Sequence, residues 1–251
     1  MESRSLARVA AVLLFALASS FPAGAAERVR FGGVEGDLVR PTGSGPFAAI
    51  VVLHSCLGPR ADREALGAML ANWGYVSLFV DDFTPRGLRE TCTVDFPEES
   101  RDAVAAAAHL ATRPDIDAAR IGALGFSQGG DSALTIGAGV VGAGRFRAAA
   151  ALYPPCANLN GRALRYPTLV IVGAEDSVTP AEDCRRLAQA QPAGGSQLKL
   201  IVVPGVAHGF DDPAFAGGVD TLGMRLAYDG AAARRASVEL RRFFSANLLR
   251  P

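Results

Sequence analysis

Short β-branched apolar runs alternate with stretches of helical period along most of the chain. Residues 49–54 (AIVVLH), 75–80 (YVSLFV), 120–125, 147–153, 168–173 and 198–203 read as strands. Each is short, mostly apolar and bounded by turn formers. Between them, residues 62–73, 98–112, 128–140 and 180–190 read as helices, and 231–249 closes the chain as another. Gly74 and Pro114 mark the ends of the first two. Residues 29–40 read as edge strands ahead of the repeat. Runs that are apolar on both sides belong to strands covered on both faces. The alternation therefore predicts an α/β fold, with a mostly parallel sheet, helices on both faces and right-handed crossovers.

The first residues follow a different logic. Arg4 and Arg8 precede an apolar run over 9–18, which breaks at Pro22 and ends in Ala23-Gly24-Ala25. A charged start, an apolar centre and a small-residue site in that order form a secretory signal peptide; a buried N-terminal helix is the plainer alternative. Cleavage is expected after Ala25, leaving one domain over 26–251. The apolar run is too short to span a bilayer, no later stretch is longer, and no cysteine stands at the cleavage site to carry a lipid. The expectation is an exported chain, periplasmic or secreted, without a stable membrane anchor. Acidic and basic residues balance at 25 each, with no basic patch and no acidic tail, which argues against a nucleic-acid partner. The 251 residues contain no repeat, and the gap over 153–166 is too short for a cap domain. Loops over 81–97 and 153–165 are expected to line an open site.

The chemistry concentrates in three loops. Gly125-Phe126-Ser127-Gln128-Gly129 fits G-x-S-x-G and sits between a strand and a helix, the context that motif requires. Its glycines permit a turn that lifts the hydroxyl to a helix N-terminus, where backbone N–H groups favour developing negative charge. Read blandly, it is a tight turn with a satisfied serine. A serine needs a base, and the chain has three histidines. His54 ends a strand and His109 lies within a helix, packed or exposed. His208, in the loop Pro204-Gly205-Val206-Ala207-His208-Gly209-Phe210 after a strand, is the best base. The acid should lie between serine and histidine in the chain. Asp176 follows the strand over 168–173, with Glu175 in reserve; a helix cap is the alternative role. Oxyanion donors are expected from the backbone N–H of Gln128 and of Cys56.

With these residues in place, the sequence resembles the dienelactone hydrolase family. The matching elements are LHSCLG, GYVSLFVDDFTPRG, RIGALGFSQGG, VGAEDSVTP and PGVAHGF, spread over most of 26–251. The resemblance implies an eight-stranded α/β-hydrolase sheet without a large cap, the catalytic set Ser127, Asp176 and His208, no metal and no cofactor. Two departures bear on substrate. The family's nucleophile is a cysteine coupled to a glutamate after the third strand, where this chain has Ser127 and Ser55. Its carboxylate-binding arginine, four residues after the histidine, is here Asp212. The resemblance is therefore to exported relatives with a serine nucleophile, and neutral esters are expected over anionic lactones. Arg86 either meets a polar substrate or, more simply, forms a structural salt bridge.

Four cysteines and no C-x-x-C pair predict two disulfides in an oxidising compartment. In this fold Cys56 and Cys92 follow neighbouring strands, as do Cys156 and Cys184, so Cys56–Cys92 and Cys156–Cys184 are the expected pairs; four buried thiols are the alternative. The functional expectation is a serine hydrolase cutting a small-molecule ester or related acyl bond. A peptidase or acyl transferase on the same fold, or a binding protein without catalysis, are the competing readings.

Overall fold

In a computed structural model, residues 26–249 are described except 95, 97, 143, 160 and 193–197. The expected signal peptide therefore lies outside the described residues. The elements run β1 (Glu27–Phe31), β2 (Val34–Val39), β3 (Phe47–Leu53), α1 (Arg63–Asn72), β4 (Tyr75–Asp81), α2 (Glu98–Ala111), β5 (Ile116–Phe126) and α3 (Gln128–Gly137). Then follow β6 (Ala148–Leu152), β7 (Thr168–Gly173), α4 (Ala181–Gln189), β8 (Leu198–Val203), β9 (Val219–Thr221), β10 (Met224–Leu226) and α5 (Gly230–Phe244). Eight strands form one sheet in the order β1-β2-β4-β3-β5-β6-β7-β8. β1 and β2 join antiparallel, and β3 to β8 are parallel neighbours. Among the described residues no helix is long and apolar enough to cross a membrane.

The period of two along each strand divides the core between the two faces of the sheet. In β3, Ala48, Ile50 and Val52 pack with Leu70 of α1 and Phe244 of α5, whereas Ala49, Val51 and Leu53 pack with Ala103 and Leu110 of α2. β6 is almost pure alanine and fully buried. The facing helix α3 buries Gly129, Gly130, Ser132, Ala133 and Gly137, so small side chains on both partners let helix and sheet approach closely. That approach matters because α3 begins at the serine turn.

Two elements differ from the sequence expectation. β5 starts at Ile116 rather than near 120, with a register shift against β3 between Phe47 and Ala49. Its polar start, Asp117-Ala118-Ala119-Arg120, carries no strand periodicity and hides that extension. The hairpin β9–β10 pairs Met224 with Thr221, and its short, mixed sequence gives no signal.

Both expected disulfides are present, Cys56–Cys92 and Cys156–Cys184, closing 36 and 28 residues of chain. Cys156 follows β6, and Cys184 lies in α4 after the adjacent β7. Cross-links of this span each contribute roughly 3 to 4 kcal/mol by the chain-entropy model. Cys184→Ser is expected to lower unfolding stability by about that amount, read from urea denaturation. An unchanged midpoint would show that this bridge does not constrain the unfolded chain.

Candidate active site

Parallel registry sets the carboxyl ends of the central strands side by side: Leu53 against Gly125, Phe126 against Leu152, Gly173 against Val203. Loops leaving those ends converge above the sheet, where the chain order of the strands changes direction around β3 and β5.

Ser127 occupies the junction of β5 and α3 with φ 52° and ψ −113°, a conformation that side-chain-bearing residues rarely adopt. Its N–H donates to the Leu152 carbonyl at 3.0 Å, and the Gly129 N–H donates to the His54 carbonyl at 3.0 Å. A β-carbon on Gly125 would run into the Gly129 carbonyl, and one on Gly129 would meet Leu53 O at 2.6 Å. The glycines of the motif are thus required by contact.

His208 Nε2 lies 2.9 Å from Ser127 Oγ, and His208 Nδ1 lies 2.8 Å from Asp176 Oδ2. A carboxylate only accepts, so Nδ1 carries the proton and the Nε2 lone pair faces the serine hydroxyl. Asp176 is held in turn: its Oδ1 accepts the N–H groups of Val178 and Thr179 at 2.9 and 2.8 Å. Asp176 does not cap α4, which begins at Ala181 after Pro180 without a side-chain cap; its carboxylate orders its own turn and meets His208. Glu175, the reserve acid, is exposed. The two loops are laced together by Glu175 N–H to Val206 O at 2.9 Å, and Ala227 N–H holds the His208 carbonyl at 3.0 Å.

Three supporting residues escaped the sequence. Thr179 Oγ1 lies 3.0 Å from Asp176 Oδ2, 3.2 Å from His208 Nδ1 and 3.0 Å from the Tyr153 carbonyl. Tyr153, at φ 41°, lays its ring 4.6 Å from the His208 ring and donates its hydroxyl to Asp211 at 2.6 Å. Burial and the Asp211 charge push that phenol well above its ordinary range. Arg60 is buried, bridges Asp62 and Asp211 at 2.8 Å each, and stacks 4.4 Å over Phe126. It ties the loop after β3 to the loop after β8. The only advance signal was the charge of Arg60 beside the loop after β3, which by itself says nothing.

The expected oxyanion donors lie beside Ser127. Cys56 and Gln128 both line a cavity that reaches Ser127. Thr91 braces both: its N–H donates to the Cys56 carbonyl at 2.8 Å and its hydroxyl to Gln128 Oε1 at 2.8 Å. The disulfide at Cys92 anchors that brace. Residues of both expected lining loops, such as Phe96 and Asn158, do border the cavity, as does Met224 of the unforeseen hairpin. Arg86 forms the salt bridge: it pairs with Asp102 at 2.9 Å and donates to the Asp82 carbonyl at 2.9 Å. His109 packs on Phe31 at 5.6 Å, away from the site. Asp212 is buried and caps a short turn by accepting from Ala214 N–H at 2.9 Å. Its carboxyl is raised by burial, against the pull of Arg60.

A second buried cluster lies beside the loop after β3. His54 Nε2 is 2.8 Å from Asp82, and Nδ1 is 3.9 Å from Glu99 and 2.7 Å from the Ser55 carbonyl. Glu99 accepts from Ser132 of α3 at 3.2 Å. The ligand atoms of His54, Asp82 and Glu99 lie within 4.8 Å of one another. A cation there would have to break the His54–Asp82 contact. Burial lifts the Glu99 carboxyl to about 8, so it holds its proton at neutral pH. Burial alone would lower His54, but its hydrogen bond to Asp82 leads the contacts that override it and raise it to about 9. Protonated His54 then faces Asp82, and Arg86 pairs with Asp102. The cluster reads as a charge network bracing β3, β4, α2 and α3.

Both shifts are upward, so the folded chain keeps protons that the unfolded chain releases. Stability from this network is complete below the unfolded values of 4.5 and 6.5 and is lost as pH rises through about 8 for Glu99 and about 9 for His54. Glu99→Gln, which keeps the shape and stays neutral, is expected to flatten the fall of the thermal midpoint between about pH 5 and 10. Identical slopes in the two proteins would count against a protonated Glu99.

Comparison with known proteins follows this geometry. The chain is 28% identical to Cutinase 2 of Thermobifida cellulosilytica over 157 residues, 60% of this chain and 55% of that protein. The same identity and span hold for Cutinase cut1 of Thermobifida fusca, 45% of which is covered. The chain thus spans about half the length of the curated relatives it matches. Among solved structures, dienelactone hydrolase from Anabaena variabilis superposes with a TM-score of 0.67 at 20% identity, covering 89% of this chain and 97% of that one. The thermophilic carboxylesterase EstE1, cloned from a metagenomic library, superposes with a TM-score of 0.68 at 18% identity, covering 92% and 91%. Both likenesses are of fold, an α/β-hydrolase sheet. The profile of the dienelactone hydrolase family matches residues 34–248, nearly the whole described sheet, and the chain belongs to that family.

Proposed function

We propose that the protein is an exported serine hydrolase that cleaves a small-molecule ester through an acyl-enzyme on Ser127. The observation that carries this reading is the unbroken line from Asp176 through His208 to Ser127, with contacts of 2.8 and 2.9 Å. Family membership and the cutinase and carboxylesterase likenesses support an ester as the bond cut. Two disulfides support export.

Ser127 Oγ attacks the ester carbonyl as its proton passes to His208 Nε2. The carbonyl oxygen becomes an oxyanion facing the N–H groups of Cys56 and Gln128. Asp176 stabilises the imidazolium and holds its orientation. Collapse expels the alcohol, which leaves with the proton from Nε2. Water then attacks the acyl-enzyme, giving its proton to His208, and the acid departs as Ser127 regains its proton. No cofactor takes part.

Ser127→Ala is expected to lower kcat by at least about a thousand-fold with an unchanged thermal midpoint; wild-type turnover in that variant would refute the assignment. Cys92→Ser frees the Thr91 brace from its anchor. It is expected to lower kcat by roughly ten-fold, short of the 10²–10³ cost of losing an oxyanion donor outright, at temperatures where the fold is intact. A fall in stability alone, with kcat unmoved, would remove the brace from the reaction.

A further inference from the structure

Two cavities open from Ser127, and they are unequal. One measures about 20 Å³ and is walled by Leu57, Phe126, Tyr153, Phe215, Met224 and Leu226. A water needs about 10–15 Å³ on this measure, so the space admits a group of one or two heavy atoms. The other measures about 390 Å³, within the usual span of roughly 300–1,000 Å³ for a ligand site. Its polar wall includes Gln128, Asp131, Ser132, Thr135 and Asn158. Met224 borders both cavities, as do Cys56 and Ser127.

Proton delivery orients an ester between the two cavities. The leaving oxygen takes its proton from His208 Nε2, so the alcohol must lie on the side that His208 lines. His208 lines the small cavity and not the large one. The alcohol therefore faces a space of methyl or ethyl size, and the acyl group extends into the large cavity. Charge narrows the acyl group further. Asp131 is the one ionisable side chain among the described residues of the large wall, and no arginine or lysine stands there to meet a carboxylate. On the small side, Arg60 is committed to Asp62 and Asp211.

Resting on the acyl-enzyme reading above, we propose that the site selects methyl or ethyl esters of bulky, neutral acids bearing hydroxyl or amide groups, with Phe215 and Met224 setting the limit on the alcohol. Both side chains are only partly buried, so truncating them spares the core.

The test is kcat/KM, followed by acid release in a pH-stat, for the methyl, ethyl and n-butyl esters of N-acetylserine, for monomethyl succinate, and for the inverse ester, glucose 6-acetate. The methyl ester is expected to exceed the butyl ester by ten-fold or more, the scale on which an apolar pocket rejects extra methylenes. It is also expected to exceed monomethyl succinate by about as much. Phe215→Ala or Met224→Ala should pull the methyl-to-butyl ratio toward one, which a general loss of folding would not do. The proposal is overturned if butyl matches methyl, if glucose 6-acetate is the better substrate, or if neither truncation moves the ratio. A fluorophosphonate separates the two levels of the argument. Labelling of Ser127 without hydrolysis of any N-acetylserine ester refutes the substrate class alone, whereas failure to label Ser127 refutes the acyl-enzyme reading with it.

Discussion

The site hangs on a backbone turn too tight for ordinary residues. At Ser127 the chain leaves β5 and enters α3 with φ 52°, a conformation that costs on the order of 1–3 kcal/mol. It persists because its surroundings leave no alternative. Gly129 presses against the carbonyls that end β3, and the Ser127 N–H is held by Leu152 of β6. The alanine-only face of β6 and the small residues of α3 permit that closeness. A larger side chain at Ala151 or Ala133 would lift the helix, and the proposed nucleophile would move with it.

Two charge networks hold the loops on either side of the turn. Arg60, Asp211 and Tyr153 link the loop after β3 to the loop after β8 and back the His208 ring. His54, Asp82 and Glu99 lie beside the loop after β3 and reach α3 through Ser132. Buried ionic groups are poor sources of net stability. Here they fix geometry where a hydrophobic contact would allow sliding, and a reaction that depends on donors aimed at a developing charge is sensitive to small displacements. The Cys56–Cys92 bridge and Thr91 complete the bracing from the solvent side.

The sheet was legible because each central strand is a continuous apolar run, and Ser127, Asp176 and His208 were legible because each stands in a glycine-marked loop after such a run. The disulfide pairs followed once strand neighbours were known. The bracing residues were not legible. Thr179, Tyr153 and Arg60 act through contacts with residues distant in the chain, and nothing in local composition separates them from ordinary surface or core positions. His54 looked like the end of a strand because its partners, Asp82 and Glu99, come from two other elements. The β9–β10 hairpin is too short for a period, yet Met224 on it borders both cavities that flank Ser127.

The central claim is that an acyl group passes through Ser127, and its most direct measurement is mass spectrometry of acid-quenched enzyme during turnover of a neutral ester. The account expects a mass increment equal to the acyl group on the peptide containing Ser127, removable by hydroxylamine. Steady turnover under the same quench with Ser127 unmodified, and the increment absent or on another residue, would contradict it.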